Sequence, residues 1–202
     1  MRPNRTKQFQ KQTSIWIGCK WGAIGLELGV VRKKNKILLV PVKPVRQENG
    51  YECGLASVMT ILRTLGCKSR KDAVKRRLGT TRRHGTHPER IKSLFREMEL
   101  NFREKHGASL HDLESRVKKQ KLCLVVYQAW GSQKYYDRME SGHYSVVFGV
   151  ERDYFWLADP YVRQQKSKYG KGIRKIKKEI FDGRWKDIDY KGVVYDHWML
   201  AV

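Results

Sequence analysis

The apolar pattern of the chain changes at Lys121, and this change constrains the fold more than any other feature. Before it, apolar residues recur at helical spacing in four segments, the first of which begins at Cys53 and ends at Gly66. After it, the runs LCLVVYQAW, HYSVVFGV and YFWLADP have the composition of strands, and a turn at 151–153 separates the last two. Helices that precede an antiparallel sheet predict an α+β fold.

Capping residues predict where the helices before Lys121 begin and end. Gly79 is predicted to end the second helix, as Gly66 ends the first. A side chain that can cap, followed three residues later by an acid, marks a helix start. Three such pairs are predicted to start the second, third and fourth helices, and they are Ser69 with Asp72, Thr86 with Glu89, and Ser109 with Asp112.

The domain organisation is predicted to be simple. Residues 1–35 form a basic, flexible N-terminal extension, and residues 36–202 form one domain that is long enough for a single core. The basic start and the apolar stretch 15–31 resemble a secretory signal, but Lys20 and Glu27 interrupt it. No apolar run approaches the roughly 20 residues of a membrane span. We expect a cytoplasmic protein, with secretion through an N-terminal signal left open.

Cysteine and histidine spacing gives little indication of a metal site. The four cysteines are Cys19, Cys53, Cys67 and Cys123. They form no C-x-x-C pair, and a chain of this size does not need disulfides, so we expect reduced thiols. His84 and His87 lack a third ligand at a suitable spacing. We therefore expect no metal or organic cofactor.

The charge is strongly basic. Lys and Arg number 43 against 20 acids, which gives a net charge of +23 and either attracts polyanions or reflects a generally basic surface. Residues 163–178 contain no acid, and we predict a basic loop that is not rigid and draws an anionic partner toward the site. Its cations are Arg163, Lys166, Lys168, Lys171, Arg174, Lys175, Lys177 and Lys178.

Cys53 has the setting of a nucleophilic thiol. The thiolate is the reactive form, and both a helix N-terminus and a neighbouring imidazolium favour it. Gly54 would leave the sulfur open to approach. The chemistry also needs a histidine that acts as acid and base, and a group that orients this histidine.

His143 and Asp159 are the candidates for those two positions. His143 opens one strand of the predicted hairpin and Asp159 closes the other, so the turn at 151–153 would bring them side by side. Gln47 precedes Cys53 by six residues, and a loop at Gly50 would place its amide near the helix start. There it could form an oxyanion hole with the backbone N–H of Cys53.

These motifs together resemble the bacteriocin-processing peptidases, which are papain-like cysteine peptidases that cut leader peptides after a double glycine. The resemblance extends over about residues 40–200 and rests on Q-x5-CG, GHY and ADP. It implies a peptide or protein substrate, with Cys53 as nucleophile, His143 as general base and acid, Asp159 as orienting residue and Gln47 as oxyanion donor. No transporter domain follows in this sequence, so we expect a stand-alone member.

Two other functions remain open at this point. The first is a catalytically silent peptidase-like fold that binds nucleic acid or another polyanion, which the net charge favours. The second is a protein deamidase or acyl transferase that uses the same triad for a different reaction. Salt-dependent binding without labelling of Cys53 would identify the first, and the mass change of a partner protein would identify the second.

Overall fold

The computed structural model describes residues 31–33, 37–162 and 169–202. The helices of this part are α1 (Cys53–Thr64), α2 (Lys71–Leu78), α3 (Pro88–Glu97), α4 (Leu110–Lys118) and α5 (Lys178–Arg184), with a 3₁₀ helix at Gln133–Arg138. The strands are β1 (Val31–Lys33), β2 (Ile37–Leu39), β3 (Arg103–Lys105), β4 (Cys123–Gln128), β5 (Gly142–Val150), β6 (Tyr154–Ala158), β7 (Ile173–Lys177) and β8 (Met199–Ala201).

The strands form one antiparallel sheet. Its order is β1-β2-β5-β4-β8-β3, and β6 pairs with both β5 and β7. Every residue of β4 is buried, as expected for a continuous apolar run at the centre of a sheet. The predicted α+β fold is confirmed.

Helices cover both faces of this sheet. The core on one face contains Leu55 and Ile61 of α1 together with Phe95 of α3. The core on the other face contains Leu113 of α4 and Phe181 of α5. None of the helices in the described ranges has the length and apolar character that a membrane span requires.

Helix α1 holds the segment that precedes it. The backbone N–H of Lys43 donates to the hydroxyl of Thr64 at 3.0 Å, and that of Val45 donates to the hydroxyl of Thr60 at 2.9 Å. Residues 43–45 therefore run beside α1 toward its N-terminus, and the chain reaches Gln47 next to Cys53.

Several predicted helix ends agree with the structure. The first helix begins at Cys53, and Gly66 follows its end with a φ of 75°. Gly79 caps α2 in the left-handed conformation, with a φ of 59°. Ser109 and Asp112 form the predicted capping box of α4, each side chain bonding the other's backbone N–H.

Two predicted N-caps are wrong. Arg70 is the N-cap of α2 and makes no side-chain cap bond, while the hydroxyl of Ser69 points toward the sulfur of Met59 at 4.0 Å. His87, not Thr86, caps α3, and its Nδ1 accepts from the backbone N–H of Glu89. In both places the predicted capping hydroxyl contacts another side chain, Met59 for Ser69 and Thr80 for Thr86.

The predicted basic loop at 163–178 is wrong for its second half. Residues 163–168 lie outside the described residues, but 173–177 form β7, which pairs with β6 along its whole length. Three of the cations contact carboxylates of the same chain, which reduces the repulsion among them. These ion pairs are Arg174 with Asp159, Lys175 with Glu151, and Lys178 with Glu114.

The N-terminal extension and the cysteines also differ in part from expectation. Strand β1 lies within the stretch 1–35 and pairs with β2. Cys67 is disulfide-bonded, so the prediction that all the thiols are reduced is wrong at this position. Cys53 and Cys123 are free, and Cys19 lies outside the described residues.

Candidate active site

The site is built at the N-terminus of α1, where Cys53 is the first helical residue and is partly exposed. Gly54 also has a packing role that the sequence did not indicate. A Cβ atom at Gly54 would lie 2.6 Å from the Cβ of Thr86 and 3.2 Å from the ring of Tyr144. The glycine therefore lets the start of α1 pack closely against the loop before α3 and against β5.

The side chains of His143 and Asp159 meet in the interior beside this helix start. The Nε2 atom of His143 lies 2.8 Å from Oδ1 of Asp159, and each residue is only 1% exposed. Since Nε2 faces the carboxylate, the other ring nitrogen is left for Cys53, whose proximity contributes to the raised pKa of His143.

The ionisation of this pair follows from two opposing effects. Burial disfavours the imidazolium, but the hydrogen bond to Asp159 and the neighbouring Cys53 outweigh it and raise the pKa of His143 to about 9. Burial likewise opposes the carboxylate of Asp159, whereas His143 and Arg174 hold its pKa below the usual range. The arrangement therefore favours an imidazolium at His143 beside an ionised Asp159.

A β-bulge places Asp159 on the face of the sheet that carries His143. The pairing of β5 with β6 skips Phe148, so that Asp159 follows on in register opposite Ser145. Ser145 and His143 are two residues apart and share a face. Without the bulge Asp159 would lie opposite Val146, on the other face. The two candidates are thus diagonal neighbours and not the directly opposed pair that was expected.

Asp159 has two further side-chain partners that the sequence analysis missed. The Nε atom of Arg174 lies 2.8 Å from Oδ2, and the hydroxyl of Tyr127 donates to the same oxygen at 3.4 Å. Tyr127 lies directly opposite His143 in the β4–β5 ladder. The central run LCLVVYQAW marks Tyr127 as a strand residue, but only the strand pairing shows which residue it faces.

Gln47 lies close to the helix start. Its side-chain Nε2 donates to the carbonyl oxygen of Asn49 at 2.8 Å, and the backbone N–H of Glu52 donates to the same oxygen. The backbone N–H of Gln47 donates to the carbonyl of Pro160 at 3.1 Å, which ties this loop to the segment after Asp159. One hydrogen of the Gln47 amide remains for another acceptor.

Glu52 is a second residue that the sequence analysis did not identify. It immediately precedes Cys53 and is 1% exposed, with Lys71 at 3.0 Å and Lys75 at 2.7 Å from its carboxylate oxygens. Burial opposes its charge, but the hydrogen bonds from Lys75 and Lys71 outweigh burial and lower its pKa to about 2. The two lysines compensate a fixed negative charge beside the thiol and anchor the loop to α2.

A cleft of about 220 Å³ opens beside Cys53. Its walls include residues 83–88, Tyr144 of β5 and Asp187. The carboxylate of Asp187 accepts from the amide of Gln128 at 3.1 Å, and burial raises its pKa to about 6. The indole of Trp130 covers the ring of His143 at a centroid distance of 5.0 Å.

His84 and His87, the other histidine pair in the sequence, lie at this cleft. Nε2 of His87 lies 2.8 Å from Asp189, and the ring of His84 packs on Tyr190 with centroids 4.1 Å apart. Their contacts are with the chain's own side chains, and they connect the loop before α3 to the segment 187–190.

Three solved structures share this fold at low sequence identity. The peptidase domain of Streptococcus ComA, a bi-functional ABC transporter involved in quorum sensing, is 16% identical, with a TM-score of 0.53, and the match covers 78% of this chain and 95% of that one. A candidate C39-like peptidase from Bacillus anthracis is 13% identical, with a TM-score of 0.61 and coverage of 79% and 93%. The double-glycine-motif protease of an AMS/PCAT transporter, solved with its leader peptide, is 18% identical, with a TM-score of 0.54 and coverage of 80% and 91%.

The comparison with curated proteins gives no match. The model of the Peptidase C39 family, however, matches residues 41–189. This range is most of the chain and includes Gln47, Cys53, His143 and Asp159. The chain therefore belongs to the Peptidase C39 family and is a cysteine peptidase with a papain-like α+β fold.

Proposed function

We propose that the protein hydrolyses a peptide bond in a leader or propeptide, with Cys53 as the nucleophile and with His143 and Asp159 as its partners. The observation that carries this proposal is the hydrogen-bonded pair His143–Asp159 beside Cys53 at the N-terminus of α1. A thiol there has both a helix N-terminus and an imidazolium to stabilise its thiolate.

The reaction proceeds in two steps. The Cys53 thiolate attacks the peptide carbonyl carbon, and the carbonyl oxygen becomes an oxyanion that the Gln47 amide and the Cys53 N–H stabilise. His143 gives its proton to the leaving amine as the C–N bond breaks, which leaves a thioester. His143 then takes a proton from water, hydroxide adds to the thioester, and the acid product leaves as the thiolate and imidazolium are restored.

The choice of substrate rests on similarity. One of the structures with this fold is a double-glycine-motif protease in complex with a leader peptide. The cleft beside Cys53 is continuous with the nucleophile, so residues next to the scissile bond would lie there. We therefore propose a peptide with a glycine pair before the cleaved bond as the first substrate to examine.

The test uses a set of peptides that includes leader-like sequences ending in two glycines, with mass spectrometry of the products. We expect the parent chain to cut after the glycine pair, Cys53→Ala to cut nothing, and Cys123→Ala to cut like the parent. Cys123 is a suitable control because it is a free thiol buried in the core, where burial keeps it neutral.

Each other outcome has a definite meaning. Near-normal cleavage by Cys53→Ala would show that this cysteine is not the nucleophile. Cleavage only at other sequences would remove the double-glycine substrate and leave the chemistry intact. A mass change in the peptide without a backbone cut would instead identify deamidation or acyl transfer.

A further inference from the structure

The second oxygen of Asp159 has a charged partner. Its first oxygen accepts from His143 and from the backbone N–H of Tyr161 at 2.9 Å. Its second oxygen receives the guanidinium of Arg174 at 2.8 Å. A carboxylate oxygen that is held by a guanidinium is fixed in orientation, because the planar guanidinium donates along set directions.

Strand pairing brings Arg174 to this position. It lies in β7 opposite Leu157 of β6, two residues before Asp159, and therefore on the same face of the sheet. Its Nη1 donates to the hydroxyl of Tyr127 at 3.2 Å, and its side chain is 26% exposed. The guanidinium thus bridges three strands, β4, β6 and β7, around one buried carboxylate.

We propose that Arg174 is a positioning residue of the peptidase. It fixes the carboxylate of Asp159, and the negative charge of this carboxylate is shared between Arg174 and His143. This inference rests on the proposed function of Cys53, His143 and Asp159. It gives one member of the basic segment 163–178 a role in the chemistry, where the sequence indicated only partner choice.

The positive charge of Arg174 should affect the protonation of His143 in one direction. The titratable groups that face His143 and Asp159 are Cys53 from α1, Tyr127 from β4 and Arg174 from β7. Arg174 is the only fixed cation among these described neighbours. Its charge makes Asp159 a weaker stabiliser of the imidazolium than an unshared carboxylate would be. Without Arg174, the imidazolium of His143 should persist to higher pH.

The experiment compares the alkylation of Cys53 by iodoacetate and by iodoacetamide across pH in the full chain. Iodoacetate is an anion that the imidazolium attracts, whereas iodoacetamide is neutral, so the ratio of the two rates falls when His143 loses its proton. The variants are Arg174→Gln, Arg174→Lys and the control Lys177→Gln. Lys177 has the same charge, lies in the same strand and is exposed.

We expect Arg174→Gln to shift the midpoint of this ratio upward by roughly half a pH unit or more, and to slow alkylation as the carboxylate loses its anchor. Arg174→Lys should keep the parent midpoint and lose rate, because an ammonium keeps the charge without the planar geometry. Lys177→Gln should behave as the parent. An unchanged midpoint and rate in a folded Arg174→Gln variant would overturn the proposal.

Two further outcomes separate the inference from the proposed function. Thermal unfolding checks whether Arg174→Gln folds. If it does not fold, Arg174→Lys tests the proposal instead, because an undiminished rate of Cys53 alkylation in that variant would refute the positioning role. If the parent chain shows the profile of an ordinary thiol, with no fall in the ratio at high pH, then the Cys53–His143 pair is absent and the proposed function fails first.

Discussion

The polar and charged side chains of the candidate active site are buried. His143 and Asp159 are each 1% exposed, and Gln47 is 7% exposed. Burial of a charged or polar group is costly unless it has a partner, so each of these residues depends on its neighbours. Asp159 contacts both His143 and Arg174, whereas the buried amide oxygen of Gln47 has no hydrogen-bond partner among the described residues.

Gln47→Ala should lower kcat by roughly 10² to 10³, the effect of losing one oxyanion-hole donor. Alkylation of Cys53 by iodoacetamide forms no oxyanion, so its rate should stay close to that of the parent. Gln133→Ala, which replaces an exposed glutamine, is the matched control and should affect neither assay. Equal losses of turnover and alkylation in Gln47→Ala would point to misplacement of the loop instead.

The stability of the protein should fall as pH rises from about 6.5 to about 9. The raised pKa of His143 means that the folded state keeps a proton that the unfolded state has lost in this window. Its contribution is fully present below the unfolded pKa and disappears through the folded one, up to about 3 kcal/mol. Urea unfolding at several pH values measures it.

His143→Gln is the control for this pH dependence, because glutamine forms hydrogen bonds but does not titrate. Its free energy of unfolding should change less over the same pH range. An identical slope in parent and variant would show that other groups cause the pH dependence.

The side chains of the candidate active site are positioned by helices and strands that pack closely against one another. Gly54 lets the start of α1 approach Thr86 and Tyr144, and Gly149 lets β5 approach Leu39, whose Cδ2 would lie 2.3 Å from an added Cβ. Ser57 of α1 donates to the carbonyl of Tyr144 at 3.2 Å and ties the helix to β5. Small residues at these crossings therefore let α1 and β2 lie close to β5, the strand that carries His143.

Gly54→Ala should destabilise the fold by about 1–3 kcal/mol, because the new methyl group overpacks against Thr86. Alkylation of Cys53 should slow as α1 moves. Gly183→Ala is the matched control, since Gly183 is also helical and nothing lies within 4 Å of its added Cβ. There the gain in helix propensity should stabilise by about 0.5–1 kcal/mol. Equal effects on urea unfolding would contradict the packing argument.

The whole molecule carries a net charge of +23, and part of this charge is balanced locally. Arg174, Lys175 and Lys178 form ion pairs with Asp159, Glu151 and Glu114, so they are not freely available to an external anion. The hypothesis of an anionic partner therefore depends on the other cations of the basic segment. Charge attraction of this kind is screened within about 8 Å at physiological salt and acts mainly on encounter rate.

Neutralising four cations of the basic segment to Gln should reduce turnover of an acidic peptide at low salt and leave iodoacetamide labelling of Cys53 unchanged. The difference from the parent should vanish as salt rises. The positions, which exclude the three ion-paired residues, are Arg163, Lys166, Lys168 and Lys171. Equal salt dependence in parent and variant, with peptide and with single-stranded RNA, would leave the charge as a feature of solubility alone.

The sequence by itself determined the α+β class, the central position of β4, the capping box at Ser109 and Asp112, and the glycine ends of the first two helices. These features depend on residues a few positions apart, so a local pattern is enough to find them. The same local patterns selected Gln47, Cys53, His143 and Asp159 as candidates for the site.

Only the tertiary structure decided how those candidates meet and what surrounds them. The β-bulge at Phe148 places Asp159 on the same face of the sheet as His143. A one-residue change of register moves every side chain of a strand to the opposite face. The pairing of β7 with β6 selects Arg174 from a segment of eight similar cations. Such contacts join residues far apart in the chain, and their energy depends on register and packing, which no short stretch of sequence contains.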